Sequence, residues 1–173
     1  MIRDWREEPI SRAHDRDGFG CGEPALDEFL KRHARRNHER GASKTFVAVD
    51  TDGRTILGYY SLSPVSLDYA AAPESVRRGL GRYDVSGFRL GRLAVSLAMQ
   101  GRGLGGQLLL SAGRRCLRVS REVGGTVLLI DAKNDRAAAW YEAYGAIRLD
   151  DRPLTLVLPL ATIEIALSAA DGS

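Results

Sequence analysis

Leu90-Gly-Arg-Leu-Ala-Val-Ser-Leu-Ala-Met-Gln-Gly-Arg-Gly-Leu-Gly-Gly106 is the stretch on which the reading of this chain turns. It predicts a strand, Phe88–Val95, that feeds a glycine-rich turn and then a helix over Gly103–Arg121. N–H groups at a helix start have no carbonyl four residues back and sit at the positive end of the helix dipole, so they hold a phosphate or pyrophosphate. Gly101-Arg-Gly103-Leu-Gly-Gly106 matches the GxGxxG dinucleotide fingerprint, and two features count against that frame. The strand stops at Val95, five residues before the first glycine, whereas the fingerprint needs its turn directly after the strand. The first half of the chain also reads as helix and hairpin, not as βαβ units.

Outward from this stretch, Leu104, Leu108, Ala112, Cys116 and Val119 share one face of the helix, and Arg114, Arg118 and Arg121 share another. Gly124-Gly125 ends it, Thr126–Ile130 is a short buried strand, and Asn134 or Asp135 caps a helix that runs to about Tyr144, with Gly145 at its C′ position. Ala146–Leu149 and Leu154–Leu160 are paired strands, and Ser168–Ser173 is a frayed, disordered tail. Towards the N-terminus, Gly22–Arg40 reads as one amphipathic helix. Leu26, Phe29, Leu30, His33 and Asn37 form its apolar arc, opposite Lys31, Arg32, Arg35 and Arg36. That register packs His33, and His14 and His38 are expected in solvent. Lys44–Asp50 and Arg54–Ser63 form a hairpin about Thr51-Asp52-Gly53, and Ala70–Gly87 is loop with a helical piece near Glu74–Gly79. The fold class is α/β (α+β mixed), one domain over 1–173, hairpins first and a β-α-β-α-β half second.

The chain has 173 residues, 44% hydrophobic and 27% charged, which is enough for a real core and excludes wholesale disorder. Cys21 and Cys116 are too few for a disulfide scaffold and lack zinc spacing, so no metal site is expected. The charged start MIRDWREEPI excludes a signal peptide. Leu154 to Ala170 carries Pro159 and Glu164 and is too short and polar to span a bilayer, so a cytoplasmic domain with no membrane partner is expected. The net charge of +3 conceals segregation: Arg77 to Arg121 holds ten arginines against Asp84 alone, and Lys31 to Arg40 holds five basic residues against Glu39. A GC-rich genome accounts for the arginine bias as well as selection does; the clustering points to a polyanion such as nucleic acid.

In a second frame, Gln100-Gly-Arg-Gly103-Leu-Gly105 resembles the Q/R-x-x-G-x-G/A acetyl-CoA motif of the GNAT N-acetyltransferase superfamily. Asn134, Tyr141 and Gly145 match that family's Asn…A…FY…GF ending, with Trp140 and Ala146 in the two Phe places. Phe19-Gly-Cys-Gly, Leu26-Asp-Glu-Phe-Leu30, Thr45-Phe-Val47, Gly58-Tyr-Tyr-Ser-Leu62 and Leu156 to Pro159 resemble, in this order, the acetyltransferase toxins of bacterial type II toxin–antitoxin pairs. Ser96 stands where those toxins commonly carry Asp, and Gly91 where Ala is common. The resemblance implies a mostly antiparallel mixed sheet with splayed middle strands, flanked by helices. It implies acetyl-CoA held by Leu93, Ala94, Val95, Gln100, Gly101, Arg102, Gly103, Leu104, Gly105, Gly106 and Asn134. It also implies a homodimer and a ribbon-helix-helix antitoxin.

Acetyl transfer from a thioester to an amine needs a held donor, a neutral amine and a proton for the departing thiolate; positioning contributes most. A main-chain N–H of Leu93–Val95 is the expected oxyanion donor. By the resemblance Tyr141 faces the sulfur as general acid, its phenol near the ordinary value of about 10. The helix alone leaves Tyr144 an equal rival; the family register selects Tyr141, and Trp140 and Tyr144, close together on the helical wheel, are expected in the core. No general base is evident, which an aminoacyl ester tolerates, because its α-amine titrates at or below about 7.7–8.0. Arg77, Arg78, Arg82, Arg114, Arg118, Arg121, Arg35 and Arg36 are the expected phosphate contacts, with aminoacyl-tRNA as acceptor. The alternatives are acetylation of a small amine or protein N-terminus, and a non-catalytic module that binds CoA or tRNA.

Overall fold

A computed structural model describes residues 4–172. Met1 to Arg3 of the charged start and Ser173 of the expected tail lie outside the described residues. Seven strands form one sheet in the order β1-β2-β3-β4-β5-β7-β6: β1 (Arg6–Pro9), β2 (Lys44–Val49), β3 (Ile56–Leu67), β4 (Val85–Val95), β5 (Val127–Asp131), β6 (Ile147–Arg148) and β7 (Thr155–Pro159). β4 and β5 run parallel; β1–β2, β2–β3, β5–β7 and β6–β7 are antiparallel. The helices are α1 (Pro24–Arg32), α2 (Ala34–Arg40), α3 (Glu74–Arg77), α4 (Leu104–Val123), α5 (Asp135–Glu142) and α6 (Leu160–Asp171). Among the described residues no helix is long and apolar enough to cross a membrane.

The chain divides into two compact units: residues up to Ser63 with Arg92–Leu109, and Pro64–Gly91 with Leu110 onward. The first has its own core, where Phe29, Leu30 and Ala34 pack with Val47, Val49, Ile56 and Tyr59. The core of the second joins Leu67, Val76, Val85, Val127, Leu129, Leu149 and Val157.

Four features depart from the sequence reading. β1 was not anticipated, because Arg-Glu-Glu-Pro has no apolar alternation; it pairs with β2 from Arg6↔Val49 to Pro9↔Phe46, and charge plus proline suit a sheet edge. The expected helix over Gly22–Arg40 is two helices that part at His33. Arg16 donates to the Lys31 carbonyl at 3.1 Å, the carbonyl that a continuous helix would pair with the Arg35 N–H. The break turns Ala34 into the core and leaves His33 exposed, not packed. His14, expected in solvent, is buried: its Nδ1 accepts the Ser11 N–H at 3.1 Å, so Nε2 carries the proton and meets Glu8 at 3.0 Å. His38 is half-buried, accepting the Thr45 N–H at 3.0 Å, and burial holds its imidazole below the usual range.

The fourth departure is the tail. Instead of fraying from Ser168, the chain forms α6, with Leu160, Ile163 and Leu167 buried along one stripe. Gly113 of α4 admits it: a β-carbon there would lie 2.5 Å from Ile163 Cγ2.

Candidate active site

The β4–β5 ladder runs from Gly87↔Val127 to Leu90↔Ile130, and β4 then continues through Gly91 to Val95 beyond that pairing. Among the described residues no β4–β5 pair follows Leu90↔Ile130, and β5 itself ends at Asp131. In the first unit, Ala94 is buried while Leu93 and Val95 are half-exposed. The Ser96 N–H donates to the Leu57 carbonyl at 2.9 Å, and a short 3-10 turn, Leu97–Met99, follows. Ser96, in place of Asp, makes that backbone bond at the strand end, and an added β-carbon at Gly91 would meet nothing nearer than 4.0 Å. Gly58 of β3 is a tight point: a β-carbon there would approach the Ala94 carbonyl and Leu108 Cδ1 to 2.9 Å each. Gly58→Ala is expected to cost about 1–3 kcal/mol, read as a drop in melting temperature of roughly 2–12 °C.

Gly101 (φ +77°) and Gly103 (φ +85°) hold the left-handed conformations that bring the chain from the 3-10 turn into α4. The first helical acceptor is the Gly103 carbonyl, reached by the Gln107 N–H at 3.3 Å. The amides of Leu104, Gly105 and Gly106 therefore open the helix without a carbonyl four residues back, donors of the kind that can face an anion. Gln100 serves differently from its neighbours. Its side-chain amide donates to the Cys21 carbonyl at 2.8 Å and the Val95 carbonyl at 3.0 Å, tying the loop to the strand end. Arg102 is exposed, and Trp5 donates to Gln107 in the first turn of α4 at 2.9 Å. Trp5 lies directly before β1, and nothing in the sequence around it marked this contact.

In the second unit, Asn134 caps α5: its Oδ1 accepts the Ala137 N–H at 2.8 Å. Tyr141, on the inner face of α5, is only 6% exposed, and its ring meets Trp140 edge-on at 5.0 Å. Burial, and then the charge of Asp131, push its phenol above the usual range. Trp140 and Tyr144, expected in the core, are 36% and 38% exposed, because the helix spends its single buried aromatic place on Tyr141. Asp131 itself pairs with Arg89 at 2.6 Å, a pair that the sequence reading missed because it joins two strands 42 positions apart.

The arginines separate by surroundings. Arg78 and Arg82 are exposed, whereas Arg77 lies over the Tyr69 ring, 5.5 Å from its centroid. Arg77 also lines a pocket of about 530 Å³ with Glu74, Arg148, Asp150 and Asp151, whose carboxylates suit a diphosphate poorly. Arg114 and Arg121 of the α4 stripe face Asp171 and Glu164 of α6 at 3.4 and 3.5 Å, so their mutual repulsion is relieved within the chain. These pairs are exposed and worth little, and Arg118 between them is exposed. Arg35 pairs with Glu39 at 2.7 Å, and Arg36 faces solvent. Among the described residues no cluster of three or more His, Cys, Asp or Glu side chains is placed to hold a metal ion.

In the first unit a glycine loop opens α4, and in the second α5 buries a tyrosine. Residues 41–145 match the acetyltransferase (GNAT) domain family, and the chain belongs to it. It is 40% identical over 149 residues to the tRNA-acetylating toxin of Mycobacterium tuberculosis, covering 86% of this chain and 88% of that one. The structure of AtaT complexed with acetyl-methionyl-tRNAfMet matches with a TM-score of 0.87 and 30% identity, over 95% of this chain and 99% of that one. A tyrosine-to-phenylalanine variant of AtaT bound to the C-terminus of the antitoxin AtaR and acetyl-CoA matches with a TM-score of 0.82 and 28% identity, over 95% and 98%.

Proposed function

We propose that this chain is the toxin of a bacterial toxin–antitoxin pair and that it transfers the acetyl group of acetyl-CoA to the α-amino group of aminoacyl-tRNA, blocking translation. The observation that carries this reading is the 40% identity, over 86% of the chain, to a tRNA-acetylating toxin. The match at residues 41–145 draws on both units, which supports one catalytic domain. The amides of Gly101–Gly106 and Arg102 hold the pyrophosphate of acetyl-CoA, a main-chain N–H of Leu93–Val95 polarises its carbonyl, and the Asn134 cap orders the start of α5. Tyr141 protonates the departing thiolate. The protein acts in the cytoplasm as a homodimer, and a ribbon-helix-helix antitoxin encoded in the neighbouring reading frame restrains it. Light scattering of the purified chain and the sequence of that frame test these two partners.

Acetylation of bulk aminoacyl-tRNA by the purified chain tests the activity, and its salt dependence tests the acceptor. If exposed arginines meet the tRNA backbone, log affinity falls with log salt by about 0.7–0.9 per phosphate neutralised. Arg78→Glu with Arg82→Glu, both exposed, is expected to weaken acetylation and growth arrest while leaving acetyl-CoA binding intact. Rates flat across salt and across these variants would remove the nucleic acid from the reading.

A further inference from the structure

Asp131 ends β5 one residue past the last β4–β5 pair, Leu90↔Ile130. Leu129, two positions earlier on the same face of the strand, belongs to the core of the second unit, so that face passes from core to solvent at Asp131. Its partner across the ladder in β7 is Thr155, which carries no charge. Its Oδ2 receives Arg89 Nη1 at 2.6 Å, and both side chains are 37% exposed. A carboxylate offers about four lone-pair sites. Arg89 takes one oxygen and fixes the rotamer; among the described residues Oδ1 has no hydrogen-bond partner. Tyr141 is near enough for the Asp131 charge to act on its phenol.

We propose that Asp131 receives the acceptor amine: Oδ1, held in place by Arg89, accepts an N–H of the nitrogen that attacks the thioester. The assignment rests on the acetyl-transfer reading and supplies the group that positions the nucleophile. In the reaction the amine lone pair forms the C–N bond as the carbonyl π pair moves to oxygen, which leaves nitrogen cationic. Its N–H···Oδ1 bond becomes charge-assisted at that moment and not before, so it stabilises the transition state more than the bound substrate. The oxyanion pair then returns and the C–S bond breaks. The thiolate takes the Tyr141 proton, and one nitrogen proton passes through solvent to restore the phenol. An amine and a thioester become an amide and a thiol, with every proton accounted for.

Asp131→Asn keeps the shape and removes the charge. On aminoacyl-tRNA its kcat is expected to fall about tenfold to a hundredfold, the scale of a lost hydrogen bond to a charged group. The Kd of acetyl-CoA and the inhibition constant of deacylated tRNA, which has no amine, are expected to stay at wild-type values. Should the variant melt far below the wild type, Asp131→Glu replaces it: the charge is kept, the oxygen is displaced by a methylene, and kcat is expected to fall by about tenfold with acetyl-CoA affinity intact. An unchanged kcat, or acetyl-CoA affinity and deacylated-tRNA inhibition weakened as much as turnover, overturns the assignment. If the wild type acetylates no aminoacyl-tRNA, the tRNA reading fails by itself. The same comparison on the amine it does acetylate then decides Asp131, because the proposed contact reads the N–H and not the nucleic acid.

Discussion

Tyr141→Phe lowers kcat by roughly two to four orders of magnitude while melting temperature and acetyl-CoA affinity hold. The ring is buried and packed edge-on against Trp140, contacts that phenylalanine keeps, so the substitution removes the proton donor and little else. Burial and the Asp131 charge disfavour the phenolate, which keeps the phenol protonated to higher pH than an ordinary tyrosine. The alkaline side of the kcat profile therefore shows no fall from Tyr141 through pH 9, and the acid side falls as the acceptor amine protonates. Tyr144→Phe is the control: that side chain is 38% exposed, and the change is expected to be near neutral. Equal losses from both substitutions, or none from the first, would reject the general-acid role. Steady-state kinetics from pH 6 to 9 on the two variants make the measurement.

Gly103→Asp abolishes the thermal stabilisation that acetyl-CoA gives the wild type. At a hundred times its Kd a ligand adds about 2.7 kcal/mol, roughly 5–11 °C for a chain of this size. Two effects act together in the variant. Gly103 sits at φ +85°, which strains any residue with a β-carbon, and the new carboxylate puts like charge where the pyrophosphate is to bind. Gly103→Ala carries the strain alone and separates the two. Gly105→Glu, within the first turn of α4, adds charge without the positive φ and is expected to abolish the shift as well. NADH gives no shift on the wild type; stabilisation by NADH and not by acetyl-CoA would return the glycines to the dinucleotide frame.

The glycine stretch, the strand before it and the helix after it were legible in the chain, because backbone punctuation and a 3.6-residue apolar period are local signals. Observed α4, Leu104–Val123, lies close to the predicted Gly103–Arg121, and β4 ends at the predicted Val95. The Asn134 cap was one of two local candidates, with Asp135, whereas the helix period left Tyr141 and Tyr144 equal and only the family resemblance singled out the one that is buried. Tertiary structure decided what depends on partners distant in sequence. β1 exists because the edge of β2 offers unpaired backbone, not because Arg-Glu-Glu-Pro favours a strand. Arg16 claims a carbonyl of α1, and the helix breaks at His33 although no glycine or proline marks the place. α6 orders the tail by closing on Gly113, and its Asp171 and Glu164 answer an arginine stripe that reads as uncompensated in α4 alone. The Arg89–Asp131 pair has no trace in either segment, since an ion pair is a fact of distance, and distance between strands is set only when the sheet forms.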